Sequence, residues 1–175
     1  MTLLIVLLIA VSLSMDAFSL SLAYGTLNIK KIDIIILSII IGIFHFFMPL
    51  IGVLLGSQII ELLPVEPNTI VFIVLSFIGI EMIIDTFKNK EMRKMEEVES
   101  LLFGFAVSVD SFSVGLGLES ITDNYFVASF LFALSSFIFS YLGLTLGKKI
   151  NKLIGSLSTM LGGLILIIIG LFYLI

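Results

Sequence analysis

Cysteine is missing from this 175-residue chain altogether, so it holds no disulfide and offers no thiolate to a metal. Charge is scarce as well. Only 13% of residues are Asp, Glu, Lys or Arg, against 59% hydrophobic, and mean hydropathy is +1.27. A chain this poor in polar surface is excluded from the soluble globular class. The net charge of −4 also argues against nucleic-acid binding. Basic residues are absent from the first dozen positions, which speaks against a signal peptide, and the first apolar run is read as a retained span.

What is present instead is a series of long apolar runs. Crossing a hydrocarbon core of about 30 Å takes roughly 20 residues of helix. Six such spans can be drawn, at about 3–24, 34–56, 69–87, 101–118, 126–147 and 155–174. These are continuous runs and not ten-residue alternating segments, so the expected fold is all-α: a polytopic membrane protein, not a β-barrel. Five short connections join them: Gly25–Asp33, Ser57–Asn68, Lys88–Ser100, Glu119–Tyr125 and Lys148–Lys152. The third, with mixed charge and no apolar periodicity, reads as a solvated linker at 88–100. It divides the chain into halves, 1–87 and 101–175.

Lys and Arg occur in only three places: Lys30 and Lys31; Lys88, Lys90, Arg93 and Lys94; Lys148, Lys149 and Lys152. These are the first, third and fifth connections, which lie on one side of a six-span protein. The opposite side carries Glu61, Glu66, Glu119 and Asp123 and no cation. Positive charge in short loops marks the cytoplasmic side, so both termini are expected outside. Span 1 and span 4 then run in opposite directions, and any repeat between the halves is an inverted one.

The repeat has sequence support. Leu13-Ser14-Met15-Asp16-Ala17-Phe18-Ser19 returns as Val107-Ser108-Val109-Asp110-Ser111-Phe112-Ser113. Gly52-Val53-Leu54-Leu55-Gly56 is matched by Gly143-Leu144-Thr145-Leu146-Gly147, and Phe77-Ile78-Gly79-Ile80 loosely by Leu161-Gly162-Gly163-Leu164. Inverted three-helix repeats around a midplane site are a recurring transporter architecture. The glycine spacings, Gly52 with Gly56 and Gly143 with Gly147, are read as close-packing faces. Tyr24, Tyr125 and Tyr173 are expected at the membrane interface.

Asp16 and Asp110 are the anomaly. A carboxylate at the bilayer centre costs roughly 2.5–3.5 kcal/mol on insertion scales, so it needs a partner or a role. One reading protonates each acid and gives it a structural hydrogen bond. The other pairs them, with Ser12 and Ser19 on the face of Asp16 and Ser113 on that of Asp110, as a hard oxygen site for Mg²⁺, Mn²⁺ or Ca²⁺. Metal and protons would compete for such carboxylates, which gives proton-for-metal exchange a chemical basis. Glu81 and Asp85 stand four residues apart on span 3, as further ligands or, for Asp85, an interfacial acid. His45 precedes Pro49 by four residues and is either a ligand or a hydrogen-bonded interior residue. Ser135, Ser136 and Ser140 could line a polar pathway or bond back to their own helix. No resident cofactor is implied, since the dication would be cargo, and six short-looped spans are few enough for a homodimer to be plausible.

Taken in order, Ser14-Met15-Asp16-Ala17-Phe18, Met48-Pro49-Leu50-Ile51-Gly52 with Gly56, Met82-Ile83-Ile84-Asp85, Ser108-Val109-Asp110-Ser111, Gly143 with Gly147, and Leu161-Gly162-Gly163-Leu164 resemble the manganese efflux pump family. That family also includes a sporulation membrane protein branch. The resemblance implies a bacterial plasma-membrane exporter of Mn²⁺ that requires Asp16 and Asp110. His45 stands where relatives carry Gln or Glu, and Glu81 where the exporter carries a basic residue. Ala23-Tyr24-Gly25 is closer to the sporulation branch. Two other classes compete. A membrane scaffold would use the acids structurally. An intramembrane aspartyl protease would share a proton between them, but Gly115-Leu116-Gly117 is followed by Leu118 and not by the Asp of a Gly-x-Gly-Asp motif.

Overall fold

The computed structural model describes residues 2–27, 29–62, 67–87, 97–118, 121–154 and 156–174. Glu66, Glu119, Lys88, Lys90, Arg93 and Lys94 lie outside the described residues, as do the side chains of Glu61, Asp85 and Tyr173. Six helices follow one another: α1 (Thr2–Gly25), α2 (Lys31–Leu62), α3 (Pro67–Thr86), α4 (Glu97–Leu118), α5 (Tyr125–Ile154) and α6 (Ser156–Leu174). Among the described residues, α1, α2, α4 and α5 are long and apolar enough to cross a membrane, and α3 and α6 contain shorter apolar stretches. The fold is an all-α, polytopic membrane bundle. Large side chains such as Leu4, Leu8, Phe77, Phe130 and Phe172 cover its outside, as a lipid-facing surface requires.

The strongest packing pairs, α1 with α5, α3 with α6, α2 with α4 and α2 with α5, each join a helix of the first half to one of the second. With α3 on α4 and α1 on α6 they close a circuit, α1–α5–α2–α4–α3–α6 and back to α1, and α1 touches α4 across it. Swapping the halves exchanges α1·α5 with α2·α4 and α1·α6 with α3·α4, and leaves the other three cross-half pairs unchanged. Backbones approach closely at corresponding points. A Cβ on Gly143 would lie 2.6 Å from the Phe18 carbonyl, and one on Gly52 would strike the carbonyl of Phe112. Gly79 and Gly163 face each other, each Cβ falling 2.5 Å from the other's carbonyl. In lipid, where no hydrophobic force separates helix from tail, such contact supplies dispersion energy that side chains would block.

Several boundaries differ from the expectation. Lys148–Lys152, expected as a connection, is helical, because α5 runs on to Ile154. Tertiary partners hold that extension. Lys148 Nζ donates to the Ile29 carbonyl, and Asn151 Nδ2 donates to the Thr26 carbonyl (2.6 Å) and to Thr159 Oγ1 (2.9 Å). The end of the expected linker, 97–100, is the first turn of α4, where Glu97 and Glu99 complement the positive end of the helix dipole. Residues 57–62 continue α2, whose Ile59, Ile60 and Leu62 offer nothing to break a helix. Tyr24, expected at the interface, is completely buried.

Candidate metal site

Asp16 and Asp110 each sit nearly two-thirds of the way along α1 and α4, the two helices that meet across the circuit. The Asp16 carboxylate is close enough to bear electrostatically on that of Asp110. A chain with two isolated intramembrane acids, one in each half, thus brings them into one neighbourhood.

Their surroundings are unequal. Asp16 is exposed on the same side of α1 as Ser12, Met15 and Ser19, and the Ser19 hydroxyl donates back to the Met15 carbonyl at 2.9 Å. Asp110 is half-buried. Its Oδ1 accepts the Ser111 N–H at 2.8 Å, while Oδ2 is buried and has no hydrogen-bond partner among the described residues. A buried carboxylate oxygen without a donor is costly unless a cation or proton visits it. Ser113, expected to share the Asp110 face, is exposed.

Serines flank each acid. Ser14 Oγ, fully buried, is hydrogen-bonded to the Ala10 carbonyl (2.6 Å) and to Ser135 Oγ (2.7 Å), with Ser136 Oγ at 3.4 Å. Ser108 donates within its own helix, to the Gly104 and Phe105 carbonyls at 2.9 and 3.0 Å. Ser140 is buried, and its hydroxyl has no partner among the described residues.

His45 is completely buried in α2. Its Nδ1 lies 2.9 Å from the Ile41 carbonyl, which can only accept, so Nδ1 carries a proton. In the neutral ring Nε2 is then a lone pair, and it too is buried without a partner among the described residues. A carbonyl fixing one nitrogen and leaving the other available is the arrangement metal-binding histidines use. Pro49 lies inside α2, so the His45 carbonyl lacks the N–H that a helix would normally offer it. Glu81 is half-buried on α3 and takes part in an interaction of its own. The Asp85 backbone continues the same helix, and its side chain is outside the described residues. Among the described residues no three of His, Asp and Glu converge on one point. The structure therefore places Asp16 and Asp110 on helices that touch, and does not gather His45 and Glu81 into one cluster with them.

One acid escaped the sequence reading. Glu99, assigned to the solvated linker, is buried and accepts a hydrogen bond from the Tyr24 hydroxyl at 2.6 Å. A pattern could have found it: Glu99 and Asp110 are three turns apart on one face of α4.

A family profile described as "Putative manganese efflux pump" matches residues 28–174. Curated proteins named "Putative manganese efflux pump MntP" are similar along nearly the whole chain. The one from Bacillus velezensis is 39% identical over 94% of this chain and 90% of its own length. That from Bacillus pumilus is 37% identical over the same shares, and that from Oceanobacillus iheyensis 36% identical over 97% and 94%. No solved structure matches the chain. With its six-helix membrane architecture, this chain belongs to the manganese efflux pump family, a family of transporters and not of enzymes.

Proposed function

We propose that this chain exports Mn²⁺ across the bacterial plasma membrane in exchange for protons, by alternating access around Asp16 and Asp110. The observation that supports the reading is that these two carboxylates, one from each half, stand on helices in contact inside a bundle of the manganese efflux pump family. Hard oxygen donors suit Mn²⁺, and His45 Nε2 adds a borderline nitrogen that distinguishes it from Mg²⁺ or Ca²⁺. Glu81 and Asp85 on α3 complete the donor set as the bundle moves. Binding requires deprotonated carboxylates, so each cation displaces protons and the gradient supplies the drive.

The halves act as inverted repeats, 1–87 and 101–175, a reading supported by the exchange of packing pairs when the halves are swapped. The basic loops face the cytoplasm, and both termini face outward. Association of two copies in the membrane is compatible with so small a bundle.

The test is transport by the purified chain in proteoliposomes under an imposed pH gradient, with a panel of dications. Mn²⁺ should accumulate on the acidic side, and proton movement in the opposite direction should accompany it. Transport of Mn²⁺ indifferent to the pH gradient would remove proton exchange. Failure to move any dication would return the acids to a structural role.

A further inference from the structure

Resting on that reading, the structure assigns a gate on the basic side of the Asp pair, built from Tyr24 of α1 with Phe103 and Glu99 of α4. Tyr24 and Phe103 are both completely buried, with ring centroids 4.4 Å apart and planes inclined by 32°. The Tyr24 hydroxyl donates to Glu99 Oε1 at 2.6 Å, and Glu99 is itself buried. These contacts tie together the two helices that carry the transport acids. They do so where α1 ends and α4 begins, at the end of the bundle that bears Lys30, Lys31 and Lys148.

The geometry stacks the gate under the site. At 1.5 Å per residue, Phe103 lies about 10 Å and Glu99 about 16 Å along α4 from Asp110, all on one face, and Tyr24 lies about 12 Å along α1 from Asp16. The two rings pack against each other between α1 and α4, and a hydrogen bond to a carboxylate locks them. The turn after α1 is fastened at the same end, because Asn151 Nδ2 and Thr159 Oγ1 both donate to the Thr26 carbonyl, at 2.6 and 2.8 Å. The described state is therefore shut on the basic side. Opening breaks the Tyr24–Glu99 bond and swings Phe103 aside. The Glu99 carboxylate then stands at the mouth of the path, where an approaching dication first meets a negative charge.

The chain's lack of cysteine makes the test direct. Ala106, buried and one turn from both Phe103 and Asp110, is replaced by cysteine as the sole thiol. Inside-out vesicles are treated with a membrane-impermeant methanethiosulfonate, and the labelling rate is measured. Labelling in the otherwise unaltered chain should be slow, and Tyr24→Phe, which removes the hydroxyl and keeps the ring, should accelerate it on the order of tenfold. Glu99→Gln should accelerate it less, since an amide oxygen still accepts, and it decides the matter if the first variant does not accumulate. Rapid labelling without either change, or an unchanged rate in a folded variant, overturns the gate. The readout needs no transport. Failure of Mn²⁺ movement with accelerated labelling would sink the export reading alone, and unchanged labelling with intact transport would sink the gate alone.

Discussion

Asp16 and Asp110 occupy nearly the same phrase in the two halves, yet the bundle treats them differently. Asp110 is held: one oxygen takes the Ser111 N–H, and the other is buried without a partner among the described residues. Asp16 is exposed at the edge of the packed face of α1. The serines two positions earlier reverse the pattern. Ser14 reaches across to Ser135 on α5, while among the described residues Ser108 bonds only to carbonyls of its own helix. Sequence similarity between repeats therefore does not impose identical duties. One acid has an oxygen held by a backbone N–H, and the other stands on the surface of the bundle.

The largest expected effect tests that contrast. Asp16→Asn and Asp110→Asn should each abolish Mn²⁺ export, since losing one of the two charges costs about 3–5 kcal/mol, roughly 10²–10⁴ in affinity. Their stabilities should diverge. Asp110→Asn removes a buried carboxylate with an unpaired oxygen, so the purified variant should melt at least as high as the parent. Asp16→Asn should leave melting unchanged. Thermal unfolding in detergent, alongside manganese resistance of expressing cells, separates the two. Equal shifts in melting would mean that the acids share one environment.

Next in size is the packing of the halves. A Cβ at Gly143 meets the Phe18 carbonyl, and one at Gly52 meets the carbonyl of Phe112, both backbone atoms that cannot swing away. Gly52→Val and Gly143→Val should each cost about 1–3 kcal/mol through overpacking. Gly117, which has nothing within 4 Å of the corresponding position, should accept Ala within about 0.5 kcal/mol. Denaturant titration in mixed micelles gives all three. A large cost at one of the paired glycines and none at the other would break the correspondence between the halves.

How much of this could be read from sequence depends on which residues carried the signal. The six apolar runs and the two intramembrane acids are properties of local stretches, and each run became a helix. Helix ends were less legible, because α5 is prolonged by Lys148 and Asn151 reaching carbonyls more than a hundred positions away. No local pattern records such partners. Glu99 reads as solvated among its charged neighbours, since its partner Tyr24 comes from the other half, and only its three-turn spacing from Asp110 marks it. The exposure of Asp16 was equally unreadable, since helix periodicity gives a face but not what stands opposite it.

The smallest effect isolates the two serines. Ser14→Ala removes a hydroxyl bonded across helices and leaves Ser135 Oγ without that partner, at a cost of about 1 kcal/mol. Ser108→Ala removes bonds only to carbonyls that the helix ladder already engages, so its cost should be within about 0.5 kcal/mol of zero. Ser135→Ala should reproduce the Ser14→Ala cost, and the double variant should lose little more than either alone, because the two hydroxyls share one bond. Additive losses would show that Ser14 is held by its own Ala10 carbonyl. The contrast between the two aspartate phrases would then rest on Asp16 and Asp110 themselves and not on the serines beside them.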